Sequence, residues 1–131
     1  MQRRRQLSVY LENRVGALAD LCQAIAERRI NLLAVCAIDT VEEAVLRIVP
    51  EDPEAARRAL EERGHRVIET EVLQVELPNQ PGATGAMAAS LAGRGVNIDY
   101  LYASAHPAQK ESLLVLRTHQ IDEAERILEA R

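Results

Sequence analysis

At 131 residues, with 47% apolar and 27% charged positions, the chain has the composition of one ordinary globular domain or two very small ones. It contains no Phe, no Trp and three Tyr, so its core must be built from thin aliphatic layers. A net charge of −4 argues against a general nucleic-acid binder, which needs a basic face to displace counterions.

The cluster Arg3-Arg4-Arg5 reads as a solvated tail, and it lacks the apolar stretch of a secretion signal. "QLSVYLE" then alternates apolar and polar residues as a half-buried strand does. A corner at Asn13–Gly16 leads into a helical pattern in which Leu18, Leu21, Cys22 and Ile25 share one face. "NLLAVCAID" and "EEAVLRIV" read as the second and third strands. "EDPEAARRALEERG" is a well-signalled helix, with Asp52 as N-cap, Pro53 at the first helical position and Gly64 just past the end. "HRVIETEV" supplies a fourth strand and runs straight into "VLQVELP".

That last segment begins the pattern again. Sliding the chain by 66 positions pairs Leu7, Val9 and Leu11 with Leu73, Val75 and Leu77, Asn13 with Asn79, Gly16 with Gly82, and Asn31 with Asn97. Over Leu7–Ile38 against Leu73–Ser104, 10 of 32 positions are identical. The second helix carries Thr84, Met87, Ala88 and Leu91 on the matching face, and Gly95 suits a left-handed helix end where the first copy has Arg29. "NIDYLYASA", "SLLVLRT" and "IDEAERILEA" complete the copy. Matching "VLR" at Val45–Arg47 with "VLR" at Val115–Arg117 raises the offset to 70, which makes the second hairpin four residues longer.

The expected fold is therefore α+β: two ferredoxin-like βαββαβ units in tandem, residues 6–71 and 72–131, with antiparallel sheets and helices on one face. The second copy stops before its last strand. In a strand order 4-1-3-2 this leaves Val72–Leu77 as an open apolar edge, unless the chain has been cut short or a neighbouring strand fills the gap.

Function must come from sites on such a fold. An RNA-reading sheet needs stacked aromatics, and the third strands have none. The first corner lacks the two Cys of a metal carrier, and Gly82–Gly85 lacks the Lys and Ser/Thr of a P-loop. His65, His106 and His119 fall in separate loops with no marked nucleophile, and Cys22 and Cys36 read as buried structural thiols. No catalytic residue, metal ligand set or cofactor is expected. What remains is the corner: unpaired N–H groups at a helix start suit a carboxylate, Gly16 and Gly82 allow a sharp turn, and Asn13 and Asn79 can hold polar groups. The plainer reading is that these Asn only cap turns. Tyr100 and Tyr102, on one sheet face, stand where the first copy has Ala34 and Cys36.

"ENRVGALADLCQAIAERRINLLAV", its echo "PNQPGATGAMAASLAGRGVNIDYL" and the element order resemble a tandem pair of ACT domains over about Gln6–Ala130. The resemblance implies a non-catalytic small-molecule sensor, most often of amino acids, that acts with a regulated enzyme or regulator. It also implies a homodimer. The charge leaves no nucleic-acid partner expected, and the lack of an apolar run near the roughly 18 residues that span a bilayer leaves no membrane partner expected. The two cysteines, without a CxxC, fit a reducing cytoplasm. Carried over by position, the ligand loops fall on Asn13, Arg14, Val15, Gly16 and Ala17, and on Asn79, Gln80, Pro81, Gly82, Ala83 and Thr84. Further contacts fall on Asn31, Leu32 and Leu33 and on Asn97, Ile98 and Tyr100, with the ligand where two ACT units meet. Val15 stands where the family has Pro, and Thr84 where it has Leu. The alternative is a ligand-free interaction module that docks through the open edge strand.

Overall fold

The computed structural model describes residues 1–40 and 43–130. Glu42, expected to open the third strand, and Arg131, the end of the second expected unit, lie outside them. The elements are β1 (Gln2–Glu12), α1 (Ala17–Ala26), β2 (Leu32–Thr40), β3 (Glu43–Pro50), α2 (Pro53–Glu62), β4 (Val67–Pro78), α3 (Ala83–Ala92), β5 (Tyr100–Ser104), β6 (Glu111–Arg117) and α4 (Ile121–Glu129). The chain divides into two compact units, Arg5–Thr70 and Met1–Arg4 with Glu71–Arg131, so that β1 and β4 each belong to both.

In the first unit the strands lie in the order β2-β3-β1-β4. β1 and β2 both run antiparallel to β3, with Val9 and Ala37 opposite Leu46. Alternation sends Leu7, Val9 and Leu11 of β1 and Leu46 and Ile48 of β3 to one face, where they meet Leu21 and Ile25 of α1 and Ala56 and Leu60 of α2. Fully burying each such leucine or isoleucine contributes about 1.5–3 kcal/mol. The Asp52 carboxylate accepts the Ala55 N–H at 3.1 Å and Pro53 opens α2, as the sequence pattern requires. Leu18 departs from the helical pattern: it is exposed, and the buried face of α1 runs through Ala17, Leu21, Ala24 and Ile25.

The second unit has the order β1-β4-β6-β5. Leu73, Val75 and Leu77 of β4 and Leu114 and Leu116 of β6 pack against Met87 and Leu91 of α3 and Ala124, Ile127 and Leu128 of α4. β4 therefore has β1 on one side and β6 on the other, and the expected open edge at Val72–Leu77 does not exist. The residues that flank it are the ones expected to be a solvated tail. β1 begins at Gln2, Arg4 Nε donates to Gln74 Oε1 at 3.0 Å, and Arg3 bonds Glu71 and two carboxylates of α4. An all-polar strand shows no hydropathic alternation, so the pattern that found Leu7–Leu11 could not find its beginning.

Strand pairing also corrects the hairpin. Val9 opposes Leu46 and its counterpart Val75 opposes Leu114, so β6 follows β3 at an offset of 68, from 46 to 114. The β2–β3 register repeats in the same way, Val35 opposite Ile48 and Leu101 opposite Leu116. The second hairpin is longer by two residues rather than four, and the counterpart of Val45-Leu46-Arg47 is Leu113-Leu114-Val115. A slip of two leaves every side chain on its own face, so the chance match of "VLR" survived the alternation test.

No helix among the described residues is long and apolar enough to cross a membrane. Cys22 and Cys36 are free thiols, half-buried rather than fully buried.

Candidate functional site

The two corners have the same hydrogen bonds. After β1, Arg14 N–H donates to Glu12 O at 2.9 Å, Ala17 N–H to Arg14 O at 3.3 Å and Asp20 N–H to Gly16 O at 2.9 Å. After β4, Gln80 N–H donates to Pro78 O at 2.9 Å, Ala83 N–H to Gln80 O at 3.3 Å and Ala86 N–H to Gly82 O at 2.9 Å. Gly16 and Gly82 hold φ of 88° and 86°, and a Cβ at either would meet nothing within 4 Å. Glycine is needed there for its backbone angle, not for space. Val15, where the second corner has Pro81, is fully exposed, so its side chain adds nothing to the corner's packing.

Neither α1 nor α3 has a side-chain N-cap. With Ala17 and Ala83 N–H already bonded in the corner, the next two N–H groups of each helix, Leu18 and Ala19 in α1 and Thr84 and Gly85 in α3, are left to water or to a ligand, with the partial positive charge of a helix start. Neither Asn acts as a helix cap. Asn13 Nδ2 makes one long contact, 3.3 Å to Asp39 Oδ1. Asn79 is spent differently: both amide hydrogens go to carbonyls of the β5–β6 turn, His106 O at 3.0 Å and Gln109 O at 2.9 Å. Its own backbone N–H donates to Lys110 O at 2.8 Å. The extra length of the second hairpin is pinned down by this residue.

A cavity lies against each corner. The first, about 430 Å³, is lined by Tyr10, Leu11 and Glu12 of β1, Arg14 and Ala17 of the corner, Asp20 of α1, and Arg63 and His65 beyond α2. The second, about 230 Å³, is lined by Pro78, Asn79 and Gln80, by Ala83 and Thr84, and by the hairpin residues Ala103, Ser104, Ala105 and Ser112. Of the sequence-predicted residues, Arg14 and Ala17 line the first, and Asn79, Gln80, Ala83 and Thr84 the second. The exposed Thr84 hydroxyl replaces the aliphatic group of Leu18.

Asn13, Val15, Gly16, Pro81 and Gly82 belong to the corners without lining the cavities, and the residues predicted around the second strands stand elsewhere. Asn31 precedes β2 and Leu32 and Leu33 begin it, Leu32 opposite Pro50, whereas the corner lies at the far end of the sheet, where Leu11 opposes Ala44. Asn97 is tied to the start of α4: its N–H donates to Gln120 Oε1 at 2.9 Å and its carbonyl accepts from the buried Thr118 hydroxyl at 2.6 Å. Ile98 packs against the second core, and Tyr100 opposes Arg117 on the sheet face away from the helices. None of these reaches the corner of its own unit, because β2 and β5 must first cross the sheet.

Sequence reading missed Tyr10, Asp20, Arg63 and His65. The signal for the last two was present: Gly64, with φ of 86°, turns the chain sharply and delivers both flanking side chains to the first cavity. Among the described residues no group of three or more His, Cys, Asp or Glu is placed to hold a metal ion.

Comparison with known proteins agrees with this architecture. The family described as "ACT domain pair" matches residues 3–131. A solved protein of Bacteroides thetaiotaomicron is similar at 31% identity and a TM-score of 0.91, over 98% of this chain and 88% of that one. The regulatory subunit of aspartate kinase from Thermus thermophilus, in ligand-free form, shares the fold at 15% identity and a TM-score of 0.69, over 99% and 97% of the two chains. The corresponding subunit from Thermus flavus does so at 18% identity and 0.63, over 99% and 92%. The search of curated proteins found no match.

Proposed function

The chain belongs to the family of ACT domain pairs, small-molecule-binding regulatory domains, and from that premise we propose that it is a non-catalytic, cytoplasmic sensor of an amino acid. Its ACT units would be the ferredoxin-like halves 6–71 and 72–131, with the first four residues completing the second.

The observation that carries this reading is the duplicated corner, the same in its hydrogen bonds at an offset of 66 and each time facing a cavity. Asn13–Ala17 and Asn79–Thr84 form the ligand loops. The carboxylate sits on the uncapped N–H groups of α1 or α3. Asn31, Leu32, Leu33, Asn97, Ile98 and Tyr100 contribute only where one ACT unit faces another, as in a homodimer. Ligand then shifts the balance between arrangements by the difference in its affinity for each, and a regulated enzyme or regulator reads the result. Docking through an edge at Val72–Leu77 has no part in this, since β4 has neighbours on both sides.

A thermal-shift screen against the twenty amino acids tests the reading. A ligand at 100 times its dissociation constant adds about 2.7 kcal/mol, a rise of several degrees in Tm. Twenty unchanged curves from folded protein would overturn it.

A further inference from the structure

The two cavities differ in chemistry far more than the two corners do. The second has no ionisable side chain in its lining, only the amides and hydroxyls of residues such as Asn79, Gln80, Thr84 and Ser104. A charged side chain brought there loses water with nothing of opposite sign to replace it. The first has Glu12, Arg14, Asp20, Arg63, His65 and the Tyr10 hydroxyl. Its volume falls within the range of about 300–1,000 Å³ usual for small-molecule sites.

The groups of the first cavity are not equally committed. Arg14 already faces two carboxylates and a carbonyl, with Nε 3.3 Å from Glu12, Nη2 3.8 Å from Asp20 and Nη1 donating to Val15 O at 3.3 Å. Arg63 gives one N–H to Glu27 at 2.7 Å, which leaves most of its five donors unspent. Among the described residues no hydrogen bond engages the His65 imidazole. The cavity offers an amino acid's own charges partners as well: its ammonium the exposed carboxylates of Glu12 and Asp20, which also flank Arg14, and its carboxylate the α1 start. Arg63 and His65, delivered together around Gly64, are donors beyond that need.

Accordingly, we infer that the first cavity takes a dicarboxylic amino acid, whose side-chain carboxylate lies on Arg63 and His65, and that the second cavity takes no ligand with a charged side chain. This rests on the sensor reading above and narrows it to a ligand class and to one such ligand per chain. Arg63 is the specificity-determining residue: a carboxylate accepts from a guanidinium in a charge-assisted pair, which an amide oxygen forms far more weakly.

The test is calorimetric titration of the full chain with L-glutamate, L-aspartate, L-glutamine, L-asparagine and L-lysine. One of the two dicarboxylic acids is expected to bind with a stoichiometry of one, at least about tenfold more tightly than its amide. Arg63→Gln is expected to remove that preference by weakening binding of the acid about tenfold more than binding of its amide. Glu27→Gln, which breaks the same ion pair but spares Arg63, is expected to keep or sharpen it. His65→Ala gives the same discrimination should Arg63→Gln fold poorly. Equal affinity for acid and amide, preference for lysine, or a preference that survives Arg63→Gln and His65→Ala would overturn the inference and leave the sensor reading standing. No binding of any amino acid in the wider screen would overturn both.

Discussion

Arg3 and Glu125, 122 positions apart, meet through two hydrogen bonds, Nε to Oε2 at 3.2 Å and Nη2 to Oε1 at 3.0 Å. The same guanidinium reaches Glu71 at 3.0 Å and Asp122 at 2.8 Å, so one side chain clasps β4 and α4 together. The three carboxylates drive its pKa upward, Glu125 most of all. A fork shared among three acids is geometrically fixed in a way that an ordinary surface pair is not. Arg3→Ala is expected to lower Tm by several degrees and to raise hydrogen exchange along Glu71–Pro78. Arg5→Ala, whose contact with Glu69 is 3.8 Å, is expected to change both far less. Equal effects would mean that the fork adds nothing.

Arg29 occupies the left-handed end of α1 with φ of 56°, where Gly95 closes α3 with φ of 75°. The closing bond is longer in the first copy, 3.4 Å from Ile30 N to Ile25 O against 3.0 Å from Val96 N to Leu91 O. A Cβ in this region costs about 1 kcal/mol. Arg29→Gly is expected to stabilise by up to about 1 kcal/mol in urea unfolding, and Gly95→Ala to destabilise by a similar amount.

Asn79 and Asn13 are the same residue in the two copies with different duties. Asn79→Ala removes two side-chain bonds to the hairpin turn and is expected to cost about 1–2 kcal/mol. Asn79→Asp, which turns a carboxylate toward two carbonyls, is expected to cost more. Asn13→Ala loses one long, exposed contact and is expected to stay within about 0.5 kcal/mol. Urea midpoints of the three variants decide this.

Acid should weaken the fold in a predictable window. Hydrogen bonds from Arg57, Arg126 and Gln74 hold the carboxyls of Glu54, Glu123 and Glu76 below their usual 4.5. A folded pKa below the unfolded one gives stability that is present above the unfolded value and lost as pH falls through the folded one. Tm is expected to be flat near neutrality and to drop from about pH 5 downward. Arg57→Gln is expected to flatten part of that drop, and high salt to shrink the share from Glu54 and Glu123, because their ion pairs with Arg57 and Arg126 are exposed. A Tm that rose on acidification would contradict the assignment.

What the sequence displays best is what repeats in local chemistry. The Asn-x-x-Gly corners, the Asp52–Pro53 helix start and the aliphatic alternation of Leu7–Leu11 and Leu73–Leu77 are each written within a few residues of one another. What it hides depends on distant partners. Nothing in "QRRR" announces a strand, because its acceptors lie some seventy and more positions away. Nothing around Asn79 shows that its amide is taken by the hairpin turn. Arg63 and His65 are ordinary post-helix residues until the fold brings the turn at Gly64 beside the first corner. The hairpin offset was concealed by arithmetic, since a shift of two residues changes partners without changing faces.

The copies in the sequence and the units in space do not share a boundary. Residues 5–70 are complete once Thr70 has been synthesised, but Met1–Arg4, made earlier, must wait for Glu71 and beyond before their backbone finds its partner strand. During that interval the growing chain carries an unsatisfied strand edge, a target for wrong pairing as well as right. Cutting between Glu71 and Val72, where the second copy begins, would separate the two repeats and yet leave the later fragment without its outer strand. Neither gene dissection nor an added N-terminal extension is therefore neutral for the half of the molecule that lies furthest along the chain.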